Sequence, residues 1–143
     1  MIDLELKKIN QNIIMIKQIN QVKEFHEKFG ILVNNNLQSV ELNLAALRVK
    51  LIEEEAKEVK DAIFYEGVEE VAKELCDLLY VTYGTILTFG LQNKIEECFD
   101  EVHRSNMSKL GKDGKPVYRE DGKLLKGDNY SPANMQKILN VVE

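Results

Sequence analysis

Apolar residues fall at Ile2, Leu6, Ile9, Ile13 and Ile16, spaced four, three, four and three apart, which is the spacing of a short heptad seam. After a phase shift the stripe runs on through Val22, Phe25 and Phe29, and Gly30 stops it, so a helix is predicted over about 3–29. The segment ILVNNNLQS, with its turn-prone asparagines, reads as a loop. A second helix is predicted over about 41–64 and a third over about 68–90, joined by the tight Tyr65-Glu66-Gly67 turn. Gly90 to Asn93 breaks the pattern, and a fourth helix follows over about 94–109 with Ile95, Phe99, Val102 and Met107 roughly on one side. Beyond it, Asp113-Gly114 and Asp121-Gly122 mark turns, and KPVYR and KLLK suit the arms of a small hairpin around the second. A short last helix is predicted over 132–142, with Ser131 as N-cap and Pro132 at its first position. Short connections favour antiparallel neighbours. The expected class is therefore all-α, a four- to five-helix bundle with an irregular, hairpin-containing C-terminal segment. At 143 residues the chain suits one domain, with 1–20 a helical extension, 22–110 the core helices and 111–143 a basic tail.

One position breaks the pattern of the second helix. At about 100° per residue, Leu51, Ile52, Ala56, Val59, Ala62 and Ile63 share a face, and Glu53, Lys57, Lys60 and Asp61 lie opposite. Glu55 falls inside the apolar arc, four residues after Leu51 and four before Val59, with Glu54 and Glu58 on one edge of it. An unpaired buried carboxylate costs several kcal/mol or is driven neutral, and a cluster adds mutual repulsion, so these residues call for a cation. The third helix offers Glu74 and Asp77, three apart on one flank, and Asp77 is the lone charge between Leu75 and Asn93. The short turn makes the two helices antiparallel, so the acidic pairs face each other at one level. Oxygen ligands without His or Cys suit Mg²⁺, with Mn²⁺ as the alternative, rather than zinc. An ExxE pattern alone is usually a solvated face; Glu55 and Asp77 in apolar surroundings, at matched distances from one turn, raise it above that.

Composition narrows the classes. A net charge of −5 disfavours general nucleic-acid binding. The longest uncharged run, LLYVTYGTILTFGLQN at 78–93, is short for a membrane span and reads as a helix buried on most sides. Cys76 and Cys98 make no metal-type pair and read as reduced core residues of a cytoplasmic protein. The opening MIDLELKKINQNIIMIK lacks the order of a signal peptide, because charges interrupt its apolar residues.

Glu55-x-x-Glu58, fifteen residues, then Glu74-x-x-Asp77 resembles the ExxE…ExxD signature of the all-α nucleoside triphosphate pyrophosphohydrolases, the MazG-like proteins. LRVKLIEEEAKEVKDAI followed by ELCDLLYV is similar to that superfamily's core. VKEFHEKFG and EVHRSNMSKLGKDGKPVYREDGKLLKGDNYSPAN resemble the start and the tail of its phosphoribosyl-ATP pyrophosphohydrolase-like branch, so the likeness spans about 22–134. It implies a four-helix core, a homodimer or homotetramer, and cleavage of a nucleoside triphosphate between its α- and β-phosphates. It also implies Mg²⁺ held by Glu55, Glu58, Glu74 and Asp77, with Glu54 as a further contact or as the base. Water activated by the metal and by Glu54 or Glu55 would then attack the α-phosphorus. Lys109 and Asn106, three apart in HRSNMSK, are the leading phosphate contacts, with Arg104 behind them. Phe25, His26, Tyr118 and Tyr130 are candidates for the base and sugar slot, each weighed against an ordinary core or surface role. GKDGK at 111–115 resembles a phosphate loop in composition but is no P-loop.

The leading expectation is a Mg²⁺-dependent nucleotide-pool enzyme acting on dUTP-like, dCTP-like or non-standard nucleotides. A phosphoribosyl-ATP pyrophosphohydrolase of histidine synthesis would use the same metal constellation with a different substrate slot. A helical nucleotide-sensing module without turnover, and a plain structural bundle built on the Ile2–Ile16 seam, are the readings from other classes.

Overall fold

A computed structural model of the chain describes residues 17–141. The Ile2–Ile16 seam lies outside the described residues. The chain divides into two compact units, Met1–Gln92 and Asn93–Glu143.

In the first unit, residues 17–29 are helical (α1) and bury Ile19, Val22 and His26. Gly30 ends α1 with φ +69°, and Ile31 N donates to the His26 carbonyl at 2.8 Å, the left-handed stop that glycine permits. Helix α2, Leu42–Tyr65, and helix α3, Val68–Thr88, are joined by two residues and pack along each other. Glu66 N closes α2 onto the Ala62 carbonyl at 3.0 Å. Contacts of Arg48 with Val81 and Thr85, and of Glu55 with Glu74, make the pair an antiparallel hairpin. Ala62 and Leu87 are fully buried at its two ends. The loop between α1 and α2 is strapped to the end of α3. Asn34 N donates to the Leu87 carbonyl at 3.0 Å, Gln38 N to that of Phe89 at 3.2 Å, and Asn34 Nδ2 to that of Thr88 at 2.6 Å. Gly90, with φ +70°, lets the chain pass so close to Asn36 that a Cβ would collide with its carbonyl.

In the second unit, α4 is Ile95–Met107, and the strands β1, Val117–Tyr118, and β2, Leu124–Leu125, form the expected hairpin, with Val117 opposite Leu125 and Tyr118 opposite Leu124. Gly114 and Gly122 take φ +73° and +83° at the two Asp-Gly turns. A short α5 covers Met135–Leu139.

The expected all-α class holds, with a two-stranded hairpin as its one sheet among the described residues. Three local expectations are corrected. The last helix begins at Met135 with Asn134 as N-cap, whose side chain accepts from Lys137 N at 3.1 Å; Ser131 N instead donates to Ser108 Oγ at 2.8 Å. Cys98 is buried as expected, but Cys76 is exposed. The run 78–90 is buried on one side: Gly84, Leu87 and Thr88 are inside, whereas Leu79 is 51 % and Tyr80 38 % exposed. Among the described residues, Leu75, Leu79 and Tyr80 of α3 remain exposed.

Candidate metal centre and active site

The α2–α3 hairpin carries the acidic residues because both helices keep a helical period across a two-residue turn. Arg48 and Glu55 are seven apart on α2, two turns, and so share the face that meets α3. Arg48, 5 % exposed, donates from Nε to Thr85 Oγ1 at 3.1 Å and from Nη2 to the Val81 carbonyl at 2.7 Å. Gly84 makes room for it, since a Cβ there would collide with Arg48 and crowd His26 Nε2. These contacts fix the register of the hairpin on the glutamate-bearing face.

Closer to the turn, Glu55, Glu58 and Glu74 each bring a carboxylate oxygen within 4.8 Å of the other two. Glu55 Oε2 and Glu74 Oε2 are buried and find no hydrogen-bond partner among the described residues. Burial first, then the charges of Glu58, Asp77 and Glu74, push the Glu55 carboxyl above its ordinary pKa, while Lys73 pulls the other way. Three convergent carboxylates with two orphaned buried oxygens and no nitrogen or sulfur donor fit a hard divalent cation. Asp77 stands outside this group and is paired with Lys73 at 3.1 Å. Lys73 also donates to Glu74 Oε1 at 2.9 Å, and these two bonds raise its pKa well above the ordinary lysine value. Glu54 lies beside the cluster on the solvent side, 3.7 Å from Lys50 Nζ.

His26 is 2 % exposed, with Nδ1 3.2 Å from the Leu32 carbonyl. A carbonyl only accepts, so Nδ1 carries the proton and Nε2 the lone pair that faces Gly84 and Arg48. Burial first, and Arg48 with it, hold the His26 pKa below its usual value. Phe25 is partly exposed and packs on Phe29 and edge-on to Tyr80, with centroids 4.5 and 5.6 Å away. Next to it, a cleft of about 410 Å³ between α1 and α3 is lined by Gln18, Val22, Cys76, Leu79, Tyr80 and Tyr83. Gln18 Oε1 is buried without a partner among the described residues. Tyr80 and Tyr83 carried no sequence signal beyond a buried helix, and Lys73 was not singled out by the sequence.

Arg104, Asn106, Lys109, Tyr118 and Tyr130 belong to the second unit. Arg104 makes two 2.8 Å bonds to the Glu101 carboxylate and a third, at 3.1 Å, to the Pro132 carbonyl. Glu101 also accepts from Asn134 N at 2.9 Å, so the pair ties α4 to the tail. Lys109 Nζ donates to Asn106 Oδ1 at 2.8 Å, and Tyr130 lies under Lys126 Nζ at 4.4 Å. Tyr118 is exposed on β1.

Residues 22–106, more than half of the chain, match the model of the family described as phosphoribosyl-ATP pyrophosphohydrolase. The chain belongs to that family. Phosphoribosyl-ATP pyrophosphohydrolases lie within the MazG-like all-α superfamily, which makes the chain a pyrophosphohydrolase, a hydrolase of phosphoric anhydrides. The matched segment starts at Val22 in VKEFHEKFG, takes in the whole α2–α3 hairpin, and ends at Asn106 within HRSNMSK. No curated protein gives a significant match. No helix among the described residues is long and apolar enough to cross a membrane.

Proposed function

We propose that the protein is a Mg²⁺-dependent nucleoside triphosphate pyrophosphohydrolase that releases pyrophosphate and a nucleoside monophosphate, with Mn²⁺ able to replace Mg²⁺. The carrying observation is the convergence of Glu55, Glu58 and Glu74 around two buried carboxylate oxygens that lack partners. Bare carboxylates repel a triphosphate. A divalent cation supplies the reversal of local charge and the acidification of water that the cleavage needs. Glu55, Glu58 and Glu74, joined by Asp77, would hold that cation. Glu54 or Glu55, in its ionised form, would take the proton of the attacking water. The cleft beside Tyr80 and Tyr83, with the Gln18 amide at its wall, suits a nucleobase.

Nucleotide-pool cleansing is the reading that covers the widest set of triphosphates. The family match favours a second reading, phosphoribosyl-ATP of histidine synthesis, which asks the same cleavage of a larger substrate. A homodimer or homotetramer is supported by the apolar side chains left open on α2 and α3, including Phe64, Val68, Leu75 and Leu79. The cytoplasm, where triphosphates are abundant, is the setting that agrees with this chemistry.

Pyrophosphate release with Mg²⁺ or Mn²⁺ across NTPs, dNTPs including dUTP and dCTP, and phosphoribosyl-ATP tests the proposal and ranks the substrates. Glu55→Gln is expected to lower turnover by roughly a hundredfold or more. Silence of the wild type across the whole panel, with metal binding intact, would replace the enzyme by a nucleotide-sensing module.

A further inference from the structure

Lys73 precedes Glu74 by one residue and Asp77 by four, and its ammonium reaches both carboxylates, at 2.9 and 3.1 Å. Consecutive residues on a helix point about 100° apart, so Lys73 and Glu74 are not natural surface neighbours. The ammonium is held by two carboxylates of its own helix at once. Its side chain stays 59 % exposed, so it can swing back into water without unpacking anything. Asp77, meanwhile, is close enough to act on Glu55 but stands outside the three-glutamate group.

We propose that Lys73 is a built-in counter-cation that holds Asp77 out of the glutamate group, so that a divalent cation binds only by displacing it. The inference rests on the metal-centre reading above. A divalent ion among Glu55, Glu58 and Glu74 would lie a few ångströms from the ammonium, and like charges at that range repel strongly in a half-buried site. Moving Lys73 away frees Glu74 Oε1 and the Asp77 carboxylate together. Binding therefore breaks two ion pairs, and metal affinity is set below what four carboxylates alone would give. Lys73 also quiets repulsion among the carboxylates before metal arrives, so its loss makes the fold depend more on the ion. A lysine with a purely surface role predicts neither effect.

The test uses the full chain at low ionic strength, with Mn²⁺ as probe, followed by calorimetry or by the electron-spin signal of free Mn²⁺. Lys73→Met is expected to bind roughly tenfold tighter than wild type and to gain more melting temperature from the ion. Lys73→Gln serves if the Met variant folds poorly, as checked by circular dichroism. Lys73→Arg, which keeps the charge, is expected to stay near wild type, and Glu55→Gln to lose binding. Unchanged or weaker binding by the neutral variants, with wild type binding normally, overturns the inference and leaves the metal centre standing. Equal tightening by Lys73→Arg overturns it too, since the charge is retained. Absence of binding by wild type and the neutral variants alike removes the metal centre and Lys73's role together.

Discussion

A Cβ on Gly84 would fall on the Arg48 guanidinium and crowd His26 Nε2. In an exposed helix a Gly→Ala change is worth up to about 1 kcal/mol of added stability from propensity. Here overpacking wins, and Gly84→Ala is expected to lower stability by about 1–3 kcal/mol, read by thermal unfolding. Glu55→Gln points the other way. It removes a carboxylate whose charge is disfavoured by burial and by three acidic neighbours, so without metal it is expected to be neutral or stabilising in the same assay. Loss of turnover together with unchanged or raised stability would mark Glu55 as a functional residue rather than a packing one. Glu55 was legible in the sequence because a charge inside an apolar arc violates a periodicity that is otherwise obeyed. Lys73 was not legible, because a lysine in EVAKEL fits a solvated face, and its bend toward two carboxylates exists only once α3 is folded. His26 was ambiguous for a related reason: sequence gives no hint that the Leu32 carbonyl receives its Nδ1 proton.

At the scale of elements, α4 and α5 are coupled through one carboxylate. Arg104 first, then Asn134 N, hold the Glu101 pKa down to about 2 from an ordinary 4.5. A depressed carboxyl pKa stabilises the fold above the unfolded value and loses that contribution as pH falls through the folded one. Glu101→Gln is therefore expected to melt lower than wild type at neutral pH, with the gap narrowing as pH drops from about 4.5 toward about 2. Thermal melts of both proteins over that range would check it; a gap that is independent of pH would show that the charge is not what holds α5. The limits of α2, α3 and α4 and the Tyr65–Gly67 turn were readable within a residue or two, since long amphipathic patterns and glycine stops are local signals. The start of α5 was not. Ser131 and Pro132 form a plausible cap on paper, but Ser131 N is taken by Ser108 and the Pro132 carbonyl by Arg104, contacts 23 and 28 residues away in sequence.

At the scale of the whole molecule, periodicity shows which residues share a face but not whether anything covers it. Cys76, Leu79 and Tyr80 follow a good helical stripe, yet they line an open cleft or solvent. The same holds for Phe64 and Val68, 68 % and 77 % exposed beside the α2–α3 turn. Light scattering is expected to give a mass of two or four chains, and Leu79→Glu to shift it toward the monomer; a wild-type monomer at micromolar concentration would exclude self-association as the cover. The hairpin itself has a kinetic consequence. Glu55, Glu58, Glu74 and Asp77 come from a stretch of 23 residues closed by a two-residue turn, so they meet as soon as α2 and α3 zip together. Local contacts form early in folding, which places the repulsion among four carboxylates on the climb to the transition state rather than after it. Screening by salt, or Mg²⁺ in the refolding buffer, is then expected to speed refolding more than it slows unfolding, a difference stopped-flow mixing can read.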